Sequence, residues 1–481
     1  MSAVFGLETE YGVAAPPGAA GPAGSASAAG GADLARAEAA ARELFRPVVA
    51  WGRSTNVFTP AGARLYLDVG SHPEYATPEC STIEELLAAE RAGDRLMAVL
   101  AEAAGRRAGA PVALLKNNTD SAGHAFGCHE NYQVDRAGSA EVAAKLIPFL
   151  VTRQLLVGAG KVQVDPKGVR YLLSQRALHT AEALSSATTR SRPIINTRDE
   201  PHGDGRRHRR LHVIVGDSNM AGAAARLKVA SMVLLLRAAA GGGQLPDLEL
   251  AHPVQALRQV AQSWPAAQGR GAHPIALADG RTIDPVTVQW RFFAAAEAAA
   301  ASPSETAALD LWRRTLTAWD RLDFDGLETE LDWLAKWRLI ERYRQRTGAA
   351  LADPRVLRLE LAYHQLDAQG GLRQKLEAGG HLADVIGHRQ AAAAVTQPPP
   401  TTRAHLRGRF VAAARAAGRE YTVDWVRLKL GQAPAVALLD PLDSADPAAE
   451  ALIAGLEGAA AAAESAPTNE FDQIMAEAGR E

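Results

Sequence analysis

The chain has 481 residues, with 52 Lys and Arg against 54 Asp and Glu, a formal net charge of -2 and a hydrophobic fraction of 47%. Near-neutrality excludes general nucleic-acid or membrane-surface binding, so any charged site must be local. Two cysteines, Cys80 and Cys128, exclude a disulfide framework, and no apolar run approaches the roughly 20 residues that span a bilayer, so the expectation is a cytoplasmic protein with no membrane partner.

Residues 4–13 read as a short strand, in which Glu8 and Glu10 stand two apart and point to one face. Residues 14–32 are almost wholly Ala, Gly, Pro and Ser, with too little to bury to offset their ordering entropy, and read as a flexible surface loop. A helix is expected from about Asp33, its N-cap, with Leu34, Leu44, Val48 and Val49 in the core. Residues 64–69 alternate as a strand, with Arg64, Tyr66 and Asp68 on one face and Leu65, Leu67 and Val69 on the other; the turn beyond adds Glu74. Pairing of these two strands would gather four carboxylates, one guanidinium and one phenol. Crowded carboxylates raise one another's pKa unless a cation neutralises them, and such oxygen-rich clusters suit Mg²⁺ with substrate phosphates completing its shell. The same spacing also fits the solvated outer face of an antiparallel sheet.

Farther along, residues 116–121 and 127–132 place amides, acids and His129 beside glycines, which turn chemistry explains equally well. Residues 189–200 hold Arg190, Arg192 and Arg198, a residue type suited to bidentate carboxylate or phosphate recognition. The basic run 206–210 is either a site or a solvated turn, and residues 210–215 alternate as a strand. Helical spacing recurs at Leu309, Trp312, Leu316 and Trp319 after Ser302-Pro303, and at Leu327, Leu331 and Leu334 after Gly326. With no regular β–α repeat, no GxxxxGK[ST] and no GxGxxG, the expected class is α+β, an antiparallel sheet with helical cover. Residues 396–400, rich in Pro, read as a stiff connector to a small C-terminal domain. Within residues 423–430, alternation puts Trp425 on one face with Arg427 and Lys429, either to stack a base beside phosphate-binding charges or as an ordinary half-buried Trp. Residues 455–467 are Ala-rich, and Asn469 is placed to cap a short helix carrying Phe471, Ile474 and Met475.

Jointly, residues 6–13, 51–80, 116–123, 127–132, 185–202, 211–220, 401–408 and 422–430 resemble the Pup ligase family, and the resemblance runs to about residue 440. It implies a glutamine-synthetase-like catalytic domain over residues 1–397. It further implies a small C-terminal domain over 401–455 contributing to the nucleotide site, with 456–481 a linker and terminal helix. ATP and Mg²⁺ are the implied cofactors; Pup, or a Pup-like modifier, and lysine-bearing target proteins are the implied partners. The implied reaction joins the side-chain carboxylate of the modifier's C-terminal Glu to a target lysine through a γ-glutamyl phosphate, tagging proteins for proteasomal degradation. Carried onto matching positions, the resemblance implies Glu8, Tyr66 and Glu74 at magnesium, Arg64, Thr77 and Trp425 at ATP, and Asp68 as catalytic base. Glu10, His129, Arg198 and His212 are further candidates.

A related depupylase shares the family's fold; the short interval 51–63 and the residues around Asp68 and Asp120 follow the ligase instead. A small-molecule glutamate–amine ligase and a non-catalytic paralogue are the other readings. The chain departs from the family pattern in the length of its 14–32 segment and in continuing past about Leu456. That tail is either a passive extension or a mimic of the modifier acting in cis, where effective concentration is high.

Overall fold

The structure, a computed structural model, describes residues 4–15, 29–68, 70–120, 123–187, 192–264, 271–368, 371–461 and 469–480. Alternating strands assemble into one eight-stranded sheet. In chain order these are β1 (Phe5–Glu10), β2 (Asn56–Phe58), β3 (Arg64–Leu67), β4 (Pro73–Ala76), β5 (Cys128–Asp135), β6 (Glu182–Ser185), β7 (Pro193–Asn196) and β8 (His208–Val213). Across the sheet the order is β6-β7-β8-β5-β1-β4-β3-β2. Every pair is antiparallel except β6 with β7, so the α+β expectation is met with one parallel pair at an edge. One face of β1, Phe5, Leu7 and Thr9, is buried under helices. Chief among these is α2 (Ile83–Ala108), which Thr82 and Glu85 start with a reciprocal capping box. Gly93 lets α2 approach β4: a Cβ there would stand 2.4 Å from the Tyr75 ring.

Several boundaries differ from the sequence reading, each for a local reason. The first strand breaks at Tyr11, and Gly12–Ala14 continues in a different, three-stranded sheet against Ala113–Leu115. Helix α1 spans Ala29–Gly52, so Asp33 lies inside it rather than capping it, and of the loop expected over 14–32 only residues 16–28 lie outside the described residues. Leu44 and Val48 are buried with Trp51, but Leu34 (46% exposed) and Val49 (37%) are not core. At 100° per residue Val49 falls beyond the buried stripe of Leu44, Phe45, Val48 and Trp51, whereas Leu34 shares its phase but lies ahead of the helix's buried stretch, which starts at Ala40. The helix Pro303–Arg321 begins at its Ser302 cap as expected. The next begins only at Asp332, whose carboxylate accepts from the Met220 and Ala221 amides, leaving Leu327 and Leu331 buried in the turn before it.

Toward the C-terminus, α3 (Ala404–Ala416), the hairpin Tyr421–Val423/Arg427–Leu430 and α4 (Pro447–Ala461) share a separate core of Leu406, Phe410, Leu428, Leu438, Ile453 and Leu456. Helix α4 runs through residues 456–461, which the sequence reading placed in a linker; alanine is the best helix former, so the run extends the helix. Residues 462–468 lie outside the described residues. Asn469 then caps α5 (Glu470–Ala478), whose Phe471, Ile474, Met475 and Ala478 are buried against α1 and α2. Among the described residues no helix is long and apolar enough to cross a membrane.

A buried ionic knot ties these layers together. Asp94 of α2 accepts from the Tyr11 hydroxyl (3.0 Å), the Lys116 ammonium (2.9 Å) and the Arg373 guanidinium (2.8 Å). Lys116, legible only as turn chemistry from its neighbours, is thus a structural cation. Burial opposes a charge on Asp94, yet Lys116 and Arg373 hold its pKa below the usual range. Asp94→Ala leaves both cations short of a counter-charge and is expected to cost about 3–5 kcal/mol. A urea midpoint close to wild type would refute this accounting.

Candidate active site

Strand register builds the polar face residue by residue. Glu8 pairs opposite His129 and Ala76, and Glu10 opposite Glu74. Tyr66 also pairs opposite Glu74, Arg64 opposite Ala76, and His212 opposite Asn131. With a side-chain period of two, Glu8, Glu10, Arg64, Tyr66, Glu74, His129, Asn131, Arg210 and His212 share one face, and the apolar partners share the helix-covered one. The sequence reading asked what the face would hold if the Glu8 and Arg64 strands paired. Instead β4 lies between them and supplies Glu74, because the tight turn at Asp68–His72 folds β4 back onto β3. Asp68 stands just past β3 at that turn, whose His72 ring stacks on Phe126 at 4.6 Å.

Two donor clusters result. Carboxylate oxygens of Glu10, Asp68 and Glu74 lie within 4.8 Å of one another, as do ligating atoms of Glu8, His129 and His212. Glu74 is 2% exposed and its Oε1 has no hydrogen-bond partner among the described residues. Burial, then repulsion from Glu8, Glu10 and Asp68, pushes its pKa well above the carboxylate range. The Tyr66 hydroxyl bonds to Glu74, and burial with the Glu8 and Glu74 charges raises the phenol far above its ordinary value. Burial also pushes His212 down to about 3, so it is neutral, with Nε2 lacking a hydrogen-bond partner among the described residues and 4.0 Å from Glu8. Glu8 behaves oppositely to Glu74. Burial alone would raise it, but the His129 hydrogen bond (3.3 Å) and the Arg210 guanidinium at 3.6 Å bring it below the usual range, and Asn131 donates to it at 3.1 Å. A buried, unsatisfied oxygen among crowded carboxylates fits a hard divalent cation.

Beside Glu8 the face opens into a cleft lined by Phe5, Thr77, Pro78, His202, Arg403 and Trp425, among others. The Thr77 hydroxyl oxygen accepts from the Leu7 amide at 3.0 Å. Trp425 is not on a strand as expected. The Asp424 carboxylate accepts from the Val426 amide, making a turn that puts Trp425 at the hairpin tip, away from Arg427 and Lys429. Its ring meets Phe58 edge-on at 4.9 Å, and the Arg407 guanidinium lies 4.9 Å from its centroid. Arg64 donates to Asn56 at 2.6 Å and lies 4.4 Å over the Tyr66 ring. Arg198 is not brought to this face; it is more than half exposed and pairs with Glu200, which in turn meets Arg210.

Sequence reasoning missed the bracket that holds the cleft's far wall. Glu79, just past β4, accepts from Arg403 Nε (2.8 Å) and from Arg407 Nη1 (3.1 Å) and Nη2. Arg407 also donates to the carbonyls of Gly62 and Trp425, and Arg403 to those of His202 and Leu438. The signal available was Arg403 and Arg407 four apart on a helix, a spacing that presents both to one partner. Burial would raise Glu79, but the two guanidiniums pull it from 4.5 to about 2. Its stabilisation is therefore complete above about pH 4.5 and is lost as pH falls toward 2. Wild type should lose about 3 kcal/mol more than Glu79→Gln between pH 5 and 2. Parallel urea-stability curves for the two proteins over that range would refute it.

The chain is similar to known proteins over nearly its whole length. The Pup-ligase protein family model matches residues 3–429. The Pup--protein ligase of Xylanimonas cellulosilytica is 48% identical over 469 residues, covering 94% of this chain and 98% of the relative. That of Saccharomonospora viridis is 47% identical over 465 residues, covering 94% and 99%. Among solved structures, the complex between the prokaryotic ubiquitin-like protein Pup and its ligase PafA superposes with a TM-score of 0.85 at 37% identity, covering 95% of this chain and 92% of that one. PafA in complex with ADP superposes at 0.77 and 39% identity, covering 92% and 97%. With one polar sheet face, one cleft beside it and these matches over nearly the whole chain, the protein belongs to the Pup-ligase family.

Proposed function

We propose that the chain is an ATP-dependent ligase that joins the side-chain carboxylate of the C-terminal Glu of Pup to lysines of target proteins. What supports this most directly is one observation: Glu8, Arg64, Tyr66, Asp68 and Glu74 converge on one sheet face, beside a cleft bordered by Thr77 and Trp425. The chain takes an adenine nucleotide, as its ADP-bound relative does. We read the Trp425 ring as the base platform, backed by Phe58 and Arg407, with Thr77 donating its hydroxyl toward the ligand. The C-terminal unit over 401–455 then acts as a small domain that carries one wall of the nucleotide site.

Magnesium would be held by Glu8, Tyr66 and Glu74, with Glu10 and His129 at hand, and when bound it neutralises charge on the nucleotide phosphates. Tyr66, kept protonated, contributes its hydroxyl oxygen and holds Glu74 in place. Asn131 and Arg210 orient Glu8, and neutral His212 offers a lone pair rather than a competing charge.

A carboxylate is a poor electrophile, so the modifier's glutamate must first take the terminal phosphoryl group. Arg64, at the rim of the face, stabilises charge on that group as it moves. A target lysine, with an ordinary pKa near 10.4, arrives protonated and cannot attack. Asp68, at the tip of its turn, first takes a proton from the ammonium and frees its lone pair; the amine nitrogen then bonds to the acyl carbon, the carbon–oxygen bond to phosphate breaks, the second proton leaves with the departing phosphate, and an isopeptide remains. Water exclusion matters because the mixed anhydride hydrolyses readily. The buried Glu74 side of the face is where the reacting carbon is best shielded.

The depupylase alternative is not favoured: the relatives at 47–48% identity are ligases. The test is intact-protein mass spectrometry of purified chain with ATP, Mg²⁺, a Glu-ending Pup and a lysine-bearing acceptor. The acceptor should gain the modifier mass less one water, only with ATP. Release of modifier from a preformed conjugate, with no conjugation, would move the assignment to the depupylase.

A further inference from the structure

Helix α3 is held at both ends, and the two anchors differ. At its start, Arg403 and Arg407 grip Glu79 and the carbonyls of His202 and Trp425, all beside the nucleotide cleft. Its last turn lies twelve residues on, about 18 Å away at 1.5 Å per residue. There Arg415 donates to the Trp51 carbonyl at 2.8 Å and stacks 3.8 Å from the Trp51 ring centroid. The second anchor would end there but for the tail. Trp51 Nε1 donates to Asp472 of α5 at 2.7 Å, Phe471 packs edge-on against the same ring at 5.3 Å, and Arg415 reaches Asp472 at 4.0 Å. Helix α5 is itself pinned to α1 and α2. Its four apolar side chains are buried, Arg95 donates to the Ala478 carbonyl at 2.8 Å, and Arg107 pairs with Glu470. It lies over α2, on the side of the sheet opposite the carboxylate face, so it does not enter the cleft.

We propose that α5 is a positioning strap. Asp472, between the Trp51 indole and the Arg415 guanidinium, fixes the far end of α3 and thereby the placement of Arg403, Arg407 and Trp425 around the bound nucleotide. The tail is then neither a passive extension nor an occupant of the modifier's groove. This inference rests on the nucleotide reading of the cleft. Its mechanical content is simple: without α5, α3 keeps its packing on α4 and its own grip on Trp51, but the Trp51 indole and the Arg415 guanidinium lose the carboxylate that fixes them, and play at that end moves what the other end carries. The affected step is nucleotide binding, because the anchors at stake border that cleft and not the Asp68 turn.

The test uses the full-length chain with Phe471→Ser and Ile474→Ser together, which removes the apolar grip of α5 without touching the cleft. Amide hydrogen exchange verifies that α5 has undocked, and calorimetry reads ADP affinity. The ADP Kd and the KM for ATP should rise about five- to tenfold, with kcat at saturating ATP and the KM for the modifier within about twofold. A peptide of residues 466–481 added at about millimolar concentration should restore ADP affinity, which a generally damaged protein would not allow. Asp472→Asn, which keeps an acceptor for Trp51 but removes the charge facing Arg415, should give a smaller shift of the same kind. An undocked α5 with unchanged ADP affinity overturns the strap, as does a loss spread equally over kcat and both KM values that the peptide fails to restore. Failure of the wild-type chain to bind ADP would instead overturn the nucleotide reading beneath it.

Discussion

Asp68→Asn is expected to lower conjugation about 10²- to 10⁴-fold while leaving ADP affinity and the thermal midpoint at wild-type values. The substitution keeps size and hydrogen-bonding shape but removes the basic oxygen that takes the lysine proton. Asp68 sits at a half-buried turn just past β3, apart from the ion-pair knots of Asp94 and Glu79, so its loss should cost little in folding. Activation of the modifier precedes lysine attack, so the variant should still release ADP in a single-turnover mixture of ATP and modifier. Quenched-flow measurement of ADP alongside conjugate separates the two steps. Conjugation by the Asn variant within tenfold of wild type would exclude Asp68 as the base.

The second large effect concerns Glu74 and has an unusual sign. In the metal-free chain this carboxyl is buried among Glu8, Glu10 and Asp68 with one oxygen unsatisfied, so ionising it is costly. Glu74→Gln removes that repulsion, and the metal-free variant should be as stable as wild type or more so, by about 1 kcal/mol. The same change removes a charged oxygen from the proposed magnesium site. Ligation should fall at least about 10²-fold, and the rise in thermal midpoint that Mg²⁺ and ADP together give wild type should shrink or vanish. Chelating divalent cations should abolish wild-type ligation and return its midpoint to the metal-free value. A Gln variant that is markedly destabilised without metal, yet still stabilised by Mg²⁺ and ADP, would place the cation elsewhere on the face. The Glu8, His129 and His212 cluster would then be its seat.

The candidate site was legible to the extent that its geometry is local. Glu8 and Glu10, or Arg64, Tyr66 and Asp68, share a face because a strand repeats every two residues, and no distant contact alters that. The α5 cap was legible for the same reason, since Asn469 accepts from an amide three residues away. Alternation failed at Trp425, because the Asp424 side chain competes for the backbone and turns the chain where the pattern reads as a continuous strand. Apolar composition also misled at Val49, which helical phase turns outward, and at Leu34, which lies ahead of the stretch of α1 that the core covers. His129 and His212 gained their meaning only from register: β5 and β8 bring them beside Glu8, and burial then makes His212 neutral.

The amino-acid sequence by itself determined the polar faces of the strands bearing Glu8 and Arg64, the absence of a membrane-length apolar run, the Ser302 and Asn469 caps and, through long shared motifs, the family. Those properties follow from backbone periods and from hydrogen bonds spanning a few residues. Only the tertiary structure decided that β4 lies between β1 and β3, so that Glu74 stands among the other carboxylates. It also decided that Glu79 meets Arg403 and Arg407 more than 320 residues away, and that Asp472 closes on Trp51 across 421. Such pairings carry no local signal. They are selected by which faces must be buried together, and burial is a property of the whole chain.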